Sequence, residues 1–365
     1  MLLKDKIVAN RPREKSGSTS SSRFDYQKDW SICKLIEYHQ TKSDYIIVFD
    51  WHEDLIIMDS EFNPQKVSFY QIKGKKSGNW TVGTLIKSES DKDGNPLLSI
   101  IGKLYDCKIK HEFETTSLNF VSNARYSVKM ADNSSSLAMD EICMVELSTK
   151  ERTDIAEKIK TELSLTVNPI YEDITFLKVL DLSLEDSNNH TQGKIATFFD
   201  FRYPGKKINT PTIYKMLFDE VKRRANYNKD IFTYDDLLEY KSIGKTQFEK
   251  IINAAGIGKD YDDIWKRAEL YLQKDGLNFQ QSQELRRAWT KLEVEKMNPN
   301  NDFLQKLIYA IKHVIDYTKT SGSMNSYTLL ESIESIYSTI NTNNTISISY
   351  DEHFIKAIIL SEIYE

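Results

Sequence analysis

The stretch Asp44–Lys87, DYIIVFDWHEDLIIMDSEFNPQKVSFYQIKGKKSGNWTVGTLIK, reads as strand, acidic turn, strand, turn, strand. Tyr45 to Phe49, Leu55 to Met58 and Val67 to Ile72 carry the β-branched and aromatic residues that a pleated, buried surface favours. Asp54 opens the second strand, while Gln71 and Lys73 stand at i and i+2 of the third, so their side chains leave the same face. A carboxylate and an amide oxygen are hard ligands of the kind Mg²⁺ (or Mn²⁺) accepts, with water and phosphate oxygens completing the octahedron. Lys73 then stands beside the attacking water, placed to stabilise charge developing on a phosphate.

Upstream, YQKDWSICKLIEYH spaces Tyr26, Trp30, Cys33, Leu35 and Ile36 at three- and four-residue steps, which predicts an amphipathic helix. Gln27 and Glu37 are ten apart on it, near enough to three turns to project in similar directions. Downstream, DKDGNP precedes a second helix at LLSIIGKLYDCKI; Leu118–Val121 and Tyr126–Val128 read as a strand and its continuation. A third helix, KERTDIAEKIKTELSL, has Ser148 and Glu151 at capping-box spacing, and Ile174–Leu184 reads as one more strand. Strands flanked by helices on both sides predict a three-layer α/β core. Asp-x(n)-Gln-x-Lys across neighbouring strands is the layout of the PD-(D/E)xK nuclease superfamily, with glutamine at the middle acidic position. Asp50 and Glu53 are reserve ligands, and His52 is read as a turn histidine.

RPREKSGSTSSSRFDYQKDWSICKLIEYH, DYIIVFDWHEDLIIMD, FYQIKGK with the following NWT, LLSIIGKLYDCK and LNFVSNARYSV together resemble the prokaryotic antiphage nuclease family known as domain of unknown function 4297, in order over residues 11–130. That family is the nuclease half of Cap-type CD-NTase-associated effectors and also occurs beside HerA-like ATPases. The resemblance implies a restriction-endonuclease-like fold, a central mixed sheet flanked by helices, and a divalent-metal-dependent double-stranded DNA endonuclease. Asp54, Gln71 and Lys73 fall on its catalytic positions, Asp54 and Gln71 being the metal ligands, and Gln27 and Glu37 match the helix that faces the active site.

The net charge of −5 does not suit a protein that simply coats DNA, so duplex contact has to come from a local basic patch. Lys75 and Lys76 beside the third strand, and Arg23 at the end of the Ser/Gly tract, are the candidates. Cys33, Cys107 and Cys143 are odd in number and scattered, which argues against a disulfide framework or a C-x-x-C metal site. No apolar run approaches membrane-spanning length, and MLLKDKIVANRPREK lacks the apolar core of a signal peptide, so a cytoplasmic protein is expected.

The expected organisation is a flexible leader over 1–22, a nuclease domain over 23–210 and an all-helical C-terminal domain over 211–365. From about Asp230 onward only amphipathic helices are legible, ending in HFIKAIILSEIYE, apolar enough to pack into a partner. Cap-type effectors carry an α/β nucleotide-sensor domain there instead. This departure favours activation by a separate HerA-like ATPase ring, with the helical part serving self-assembly and docking. Two other readings stay open: a non-catalytic scaffold that binds DNA or an ATPase, and a nucleotide-sensing effector.

Overall fold

The computed structural model describes residues 2–10, 21–204, 208–254, 261–296, 301–320, 326–342 and 350–364. In chain order the elements are α1 (Leu3–Ala9), α2 (Ser21–Thr41), β1 (Ile46–Phe49), β2 (Leu55–Met58), β3 (Val67–Ile72), α3 (Val82–Leu85), α4 (Ile100–His111), β4 (Thr115–Ser122), β5 (Glu141–Cys143), α5 (Thr149–Glu162) and β6 (Thr175–Val179). There follow α6 (Ser187–Arg202), α7 (Thr210–Ala225), α8 (Tyr234–Tyr240), β7 (Ser242–Gly244), α9 (Lys245–Ala254), α10 (Tyr261–Lys274), α11 (Phe279–Lys296), α12 (Asp302–Thr320), α13 (Leu329–Thr342) and α14 (Glu352–Ile363).

One compact unit comprises Met1–Phe198 with Leu217–Phe248. Its centre is a seven-stranded sheet in the order β5-β6-β4-β3-β2-β1-β7. The meander β1–β2–β3 is antiparallel, whereas β3 pairs parallel with β4, and β4 with β6. A parallel pair needs a crossover, and α4 supplies it between β3 and β4. Alternation sets the two faces. Val67 and Phe69 of β3 share a buried cluster with Ile56, Met58, Ile101, Leu104 and Cys107, whereas Tyr70 meets Trp30 of α2 with ring centroids 5.5 Å apart. Helices therefore cover both faces, as a mixed sheet of buried strands requires.

Glu162, at the end of α5, ties that helix to the start of α4. Its carboxylate accepts from Ser99 N (2.9 Å), Ser99 Oγ (2.7 Å) and Ser88 Oγ (2.8 Å), with Lys158 at 3.2 Å. Ser99 is in turn the N-cap of α4, accepting from Gly102 N at 3.1 Å. The capping box expected at Ser148 forms by halves. Ser148 Oγ accepts from Glu151 N at 3.4 Å, but the Glu151 carboxylate turns to Lys129 N at 2.7 Å.

The structure corrects three expectations. Residues 3–9 of the expected leader form α1, which buries Leu3, Ile7 and Val8 and pairs Lys6 with Glu112 (3.1 Å) and Glu114 (2.9 Å). Three apolar residues on one side of a two-turn helix suffice to dock it, a signal too short to stand out beside a Ser/Gly tract. Residues 11–20 lie outside the described ones. β7, from the span expected to be only helical, pairs antiparallel with β1 (Ile46↔Gly244, Ile47↔Ile243), so residues 217–248 complete the nuclease sheet. A three-residue strand has no readable period. The strand expected over 174–184 is confined to β6, and β5 was not anticipated.

The second unit comprises Phe199–Met216 with Glu249–Glu365, and α10–α14 lie in it. Its core is built on α14, which Asp351 caps by accepting from Phe354 N at 2.9 Å. Phe354, Ile355, Ala357, Ile358, Ile359 and Leu360 are each 2% exposed or less. The apolar C-terminal stretch is thus consumed within its own unit rather than offered to a partner. Burial on all sides brings Glu362 inside as well, where Lys312 reaches it at 3.1 Å and Lys296 also pairs with it. Among the described residues no helix is long and apolar enough to cross a membrane.

Candidate active site

Register places the site. Leu55 pairs with Tyr70, so one step out along the two strands Asp54 stands opposite Gln71 on the same face, and Lys73 follows two residues on. The Gln71 amide donates to Asp54 Oδ2, and the Ile72 backbone N–H donates to the same oxygen at 2.6 Å. β2 has begun only at Leu55, so the β2-facing N–H and C=O of Ile72 lie beyond the ladder and need partners. Asp54 takes the first. Gln27, on α2, takes the second, its Nε2 donating to Ile72 O at 3.0 Å. The backbone of a single residue, Ile72, therefore gathers Gln27 and Asp54, and Gln71 joins them through the Asp54 carboxylate. On its other side β3 stays in the sheet, with Lys73 N donating to Val121 O at 2.9 Å.

Asp54 is half-buried, and burial pushes its carboxyl group up to about 7. The Ile72 N–H opposes that rise, the negative charge of Glu53 adds to it, and the Gln71 amide and the Lys73 ammonium oppose it. Such a carboxylate lacks enough positive charge around it, a deficit that a bound cation would make good. The donor set fits a hard ion. One carboxylate and one amide are fewer ligands than a metal held by protein alone needs, and they suit Mg²⁺, which keeps waters and takes substrate oxygens. Among the described residues no group of three or more His, Cys, Asp or Glu is arranged to hold a metal.

The other expected residues fall as follows. Glu37 is left out of the cluster: ten residues along α2 from Gln27 is about 15 Å of helix rise. It is exposed and pairs with Lys34 at 2.7 Å. Projecting in similar directions along a helix is not the same as reaching one point. Lys75 folds back, its ammonium 4.7 Å from the Trp80 ring centroid and bonded to Asn79 O. Its backbone is clasped by Asn123, which accepts from Lys75 N at 2.8 Å and donates to Lys75 O at 2.9 Å. Lys76 is exposed. Arg23 belongs to α2, and its side chain lies outside the described ones. Of the reserve ligands, Glu53 is buried, with the Cys107 thiol at 3.6 Å, and Asp50 begins the turn with φ +45°. His52 is buried too, its Nε2 3.0 Å from Ile7 O.

Sequence reasoning missed the Ile72 peptide, and no residue signature could have revealed it, because every residue carries the same backbone. It also missed Lys241, a buried lysine preceding β7, which would have shown up only once β7 had been recognised as a strand.

Compared with known families, residues 15–225 match the model described as Cap4, dsDNA endonuclease domain. No curated protein matches the chain.

Proposed function

The chain belongs to the Cap4 dsDNA endonuclease domain family, and from that membership we propose that it is a metal-dependent nuclease effector of antiphage defence, with Asp54, Gln71 and Lys73 at its working centre. The fold is PD-(D/E)xK-like, a mixed sheet flanked by helices, and the domain is a DNA endonuclease by family. The observation that carries the assignment of the centre is the meeting of Asp54, Gln71 and the Ile72 peptide on adjacent strands.

Asp54 and Gln71 would hold the cation, Mg²⁺ or Mn²⁺. When bound, that ion supplies Lewis acidity to the phosphodiester and acidity to water. Asp54 keeps its carboxylate aimed by accepting from Ile72 N–H, so the group does not have to reorganise as the reaction proceeds. Lys73, two residues beyond Gln71 in the chain, would neutralise charge on the phosphate in the transition state. Gln27 holds the carbonyl between those two residues and so sets their spacing. Glu37 is not part of this centre.

Double-stranded DNA is the substrate, and Lys76, with Lys75 and Arg23, is proposed to meet its phosphates. A HerA-like ATPase is the proposed activator, supported by the family resemblance and by a second unit in which the elements among the described residues are helices. That unit would serve self-assembly and docking in a cytoplasmic complex. Plasmid cleavage with Mg²⁺ or Mn²⁺, alone and with the ATPase, against an EDTA control, tests the proposal. Cleavage that persists in EDTA rules out the metal; no cleavage in any arm leaves a scaffold.

A further inference from the structure

Two segments outside residues 15–225, α1 and the α8–β7 pair, converge on the turn that presents Asp54. From α1, the carbonyl of Ile7 accepts from Trp51 Nε1 at 3.0 Å and lies 3.0 Å from His52 Nε2. From the other end of the unit, Lys241 donates its ammonium to Asp50 O at 2.9 Å and to Ala225 O at 3.1 Å. Its own carbonyl accepts from Phe49 N at 2.9 Å, extending the β1–β7 pairing to the edge of the turn. Lys241 is 2% exposed.

The turn needs holding. Asp50 has φ +45°, the left-handed region, and the loop closes tightly through Asp50 N to Asp54 O (3.1 Å) and Trp51 N to Glu53 O (3.3 Å). A non-glycine residue there is strained and persists where its surroundings over-determine it. An ammonium is costly to bury, and here the two acceptors shown are neutral carbonyls rather than a carboxylate. Burial accordingly lowers the Lys241 pKa to about 8, against the opposing charge of Asp50. A chain that needed only to fill this space would do so more cheaply with an apolar side chain. What the ammonium adds is a directed bond to the first residue of the catalytic turn.

We infer that Lys241 is a positioning residue for the nuclease centre: with the Trp51–Ile7 bond on the opposite side, it clamps the Asp50–Asp54 turn and so fixes where the Asp54 carboxylate stands relative to Gln71. The inference rests on the reading that Asp54 holds the cation. A shift of about 1 Å in such a group is enough to weaken a site substantially.

Lys241→Met keeps the stem and removes the donor; Trp51→Phe keeps an aromatic ring and removes the N–H with part of the indole, reading the same clamp from its other side. Asp54→Asn is the parallel control. The readouts are Mn²⁺ affinity without DNA, from the free-ion electron paramagnetic resonance signal, and kcat against KM for plasmid cleavage, all well below each variant's Tm. The expected result for both clamp variants is Mn²⁺ affinity about 10-fold weaker, with lower kcat and unchanged KM for DNA. Parental Mn²⁺ affinity in Lys241→Met, with Asp54→Asn losing the ion, overturns the positioning role of Lys241 and leaves the site assignment standing; parental affinity in Trp51→Phe overturns the other half of the clamp. Parental affinity in Asp54→Asn overturns the site assignment, and the clamp with it.

Discussion

The backbone N–H of Ile72 donates to the carboxylate of Asp54 at 2.6 Å. A side chain thus completes a sheet where the neighbouring strand has run out, so the carboxylate proposed to hold the cation also serves the structure. Gln27 does the equivalent for the Ile72 carbonyl. Gln27→Met removes the donor at nearly constant volume and leaves that carbonyl without it. A loss of about 1 kcal/mol in stability is expected, with a fall in kcat larger than the change in KM; urea denaturation and cleavage kinetics measure the two.

Lys73→Ala is expected to lower cleavage by about 10²–10³ while shifting Tm by no more than a few degrees, because the side chain is half-buried at a strand end. Differential scanning fluorimetry beside a plasmid assay decides it. Near-parental cutting by a folded Lys73→Ala protein would remove Lys73 from the centre.

Glu37→Ala should cleave within about two-fold of the parent, since an exposed ion pair of the Lys34–Glu37 kind contributes about 0–1 kcal/mol. A large loss of activity would mean that α2 approaches the substrate along more of its length than the Gln27 contact shows.

His111 gives the nuclease unit an acid limit. Its ring is buried between His52 and Phe69, with centroids 5.1 Å from each, and burial holds its pKa below the ordinary 6.5. The unfolded chain then takes up a proton at a higher pH than the folded one. This contribution to stability is intact above about pH 6.5 and is lost as pH falls through the folded-state value. His111→Phe keeps the stacking and removes the titration, so its urea midpoint should fall less than the parent's between about pH 7.5 and pH 5.5. Equal slopes would refute this.

Gly102→Ala should destabilise by about 1–3 kcal/mol, as overpacking of a fixed neighbour does. A Cβ there meets the Glu162 carboxylate, which Ser88, Ser99 and Lys158 hold in place. In Gly102→Ala/Glu162→Ala the clash is gone, and thermal melting should show the second substitution costing less in that background than alone.

The sequence announced the β1–β2–β3 meander, the partnership of Asp54 with Gln71 and the helix carrying Gln27, because each is written in a local period or in a two-residue step along a strand. It did not announce α1 or β7. Both are short, and both are stabilised by partners far along the chain: Trp51 and Glu112 for α1, Ile47 for β7. Glu37 shows the complementary limit, since periodicity gives direction around a helix but the distance along it has to be checked separately. The C-terminal stretch was correctly apolar, but whether such a surface faces a partner or its own bundle depends on the packing of α11–α14, which no window of residues contains.

The pairing of Ile46 with Gly244 has one more consequence. A ribosome releases β1 long before β7, and until residue 244 has emerged that strand presents an open flank to any neighbouring nascent chain. The sheet of this unit is therefore complete only once residue 244 has left the ribosome, so its last strand to form is one that lies beyond residue 225.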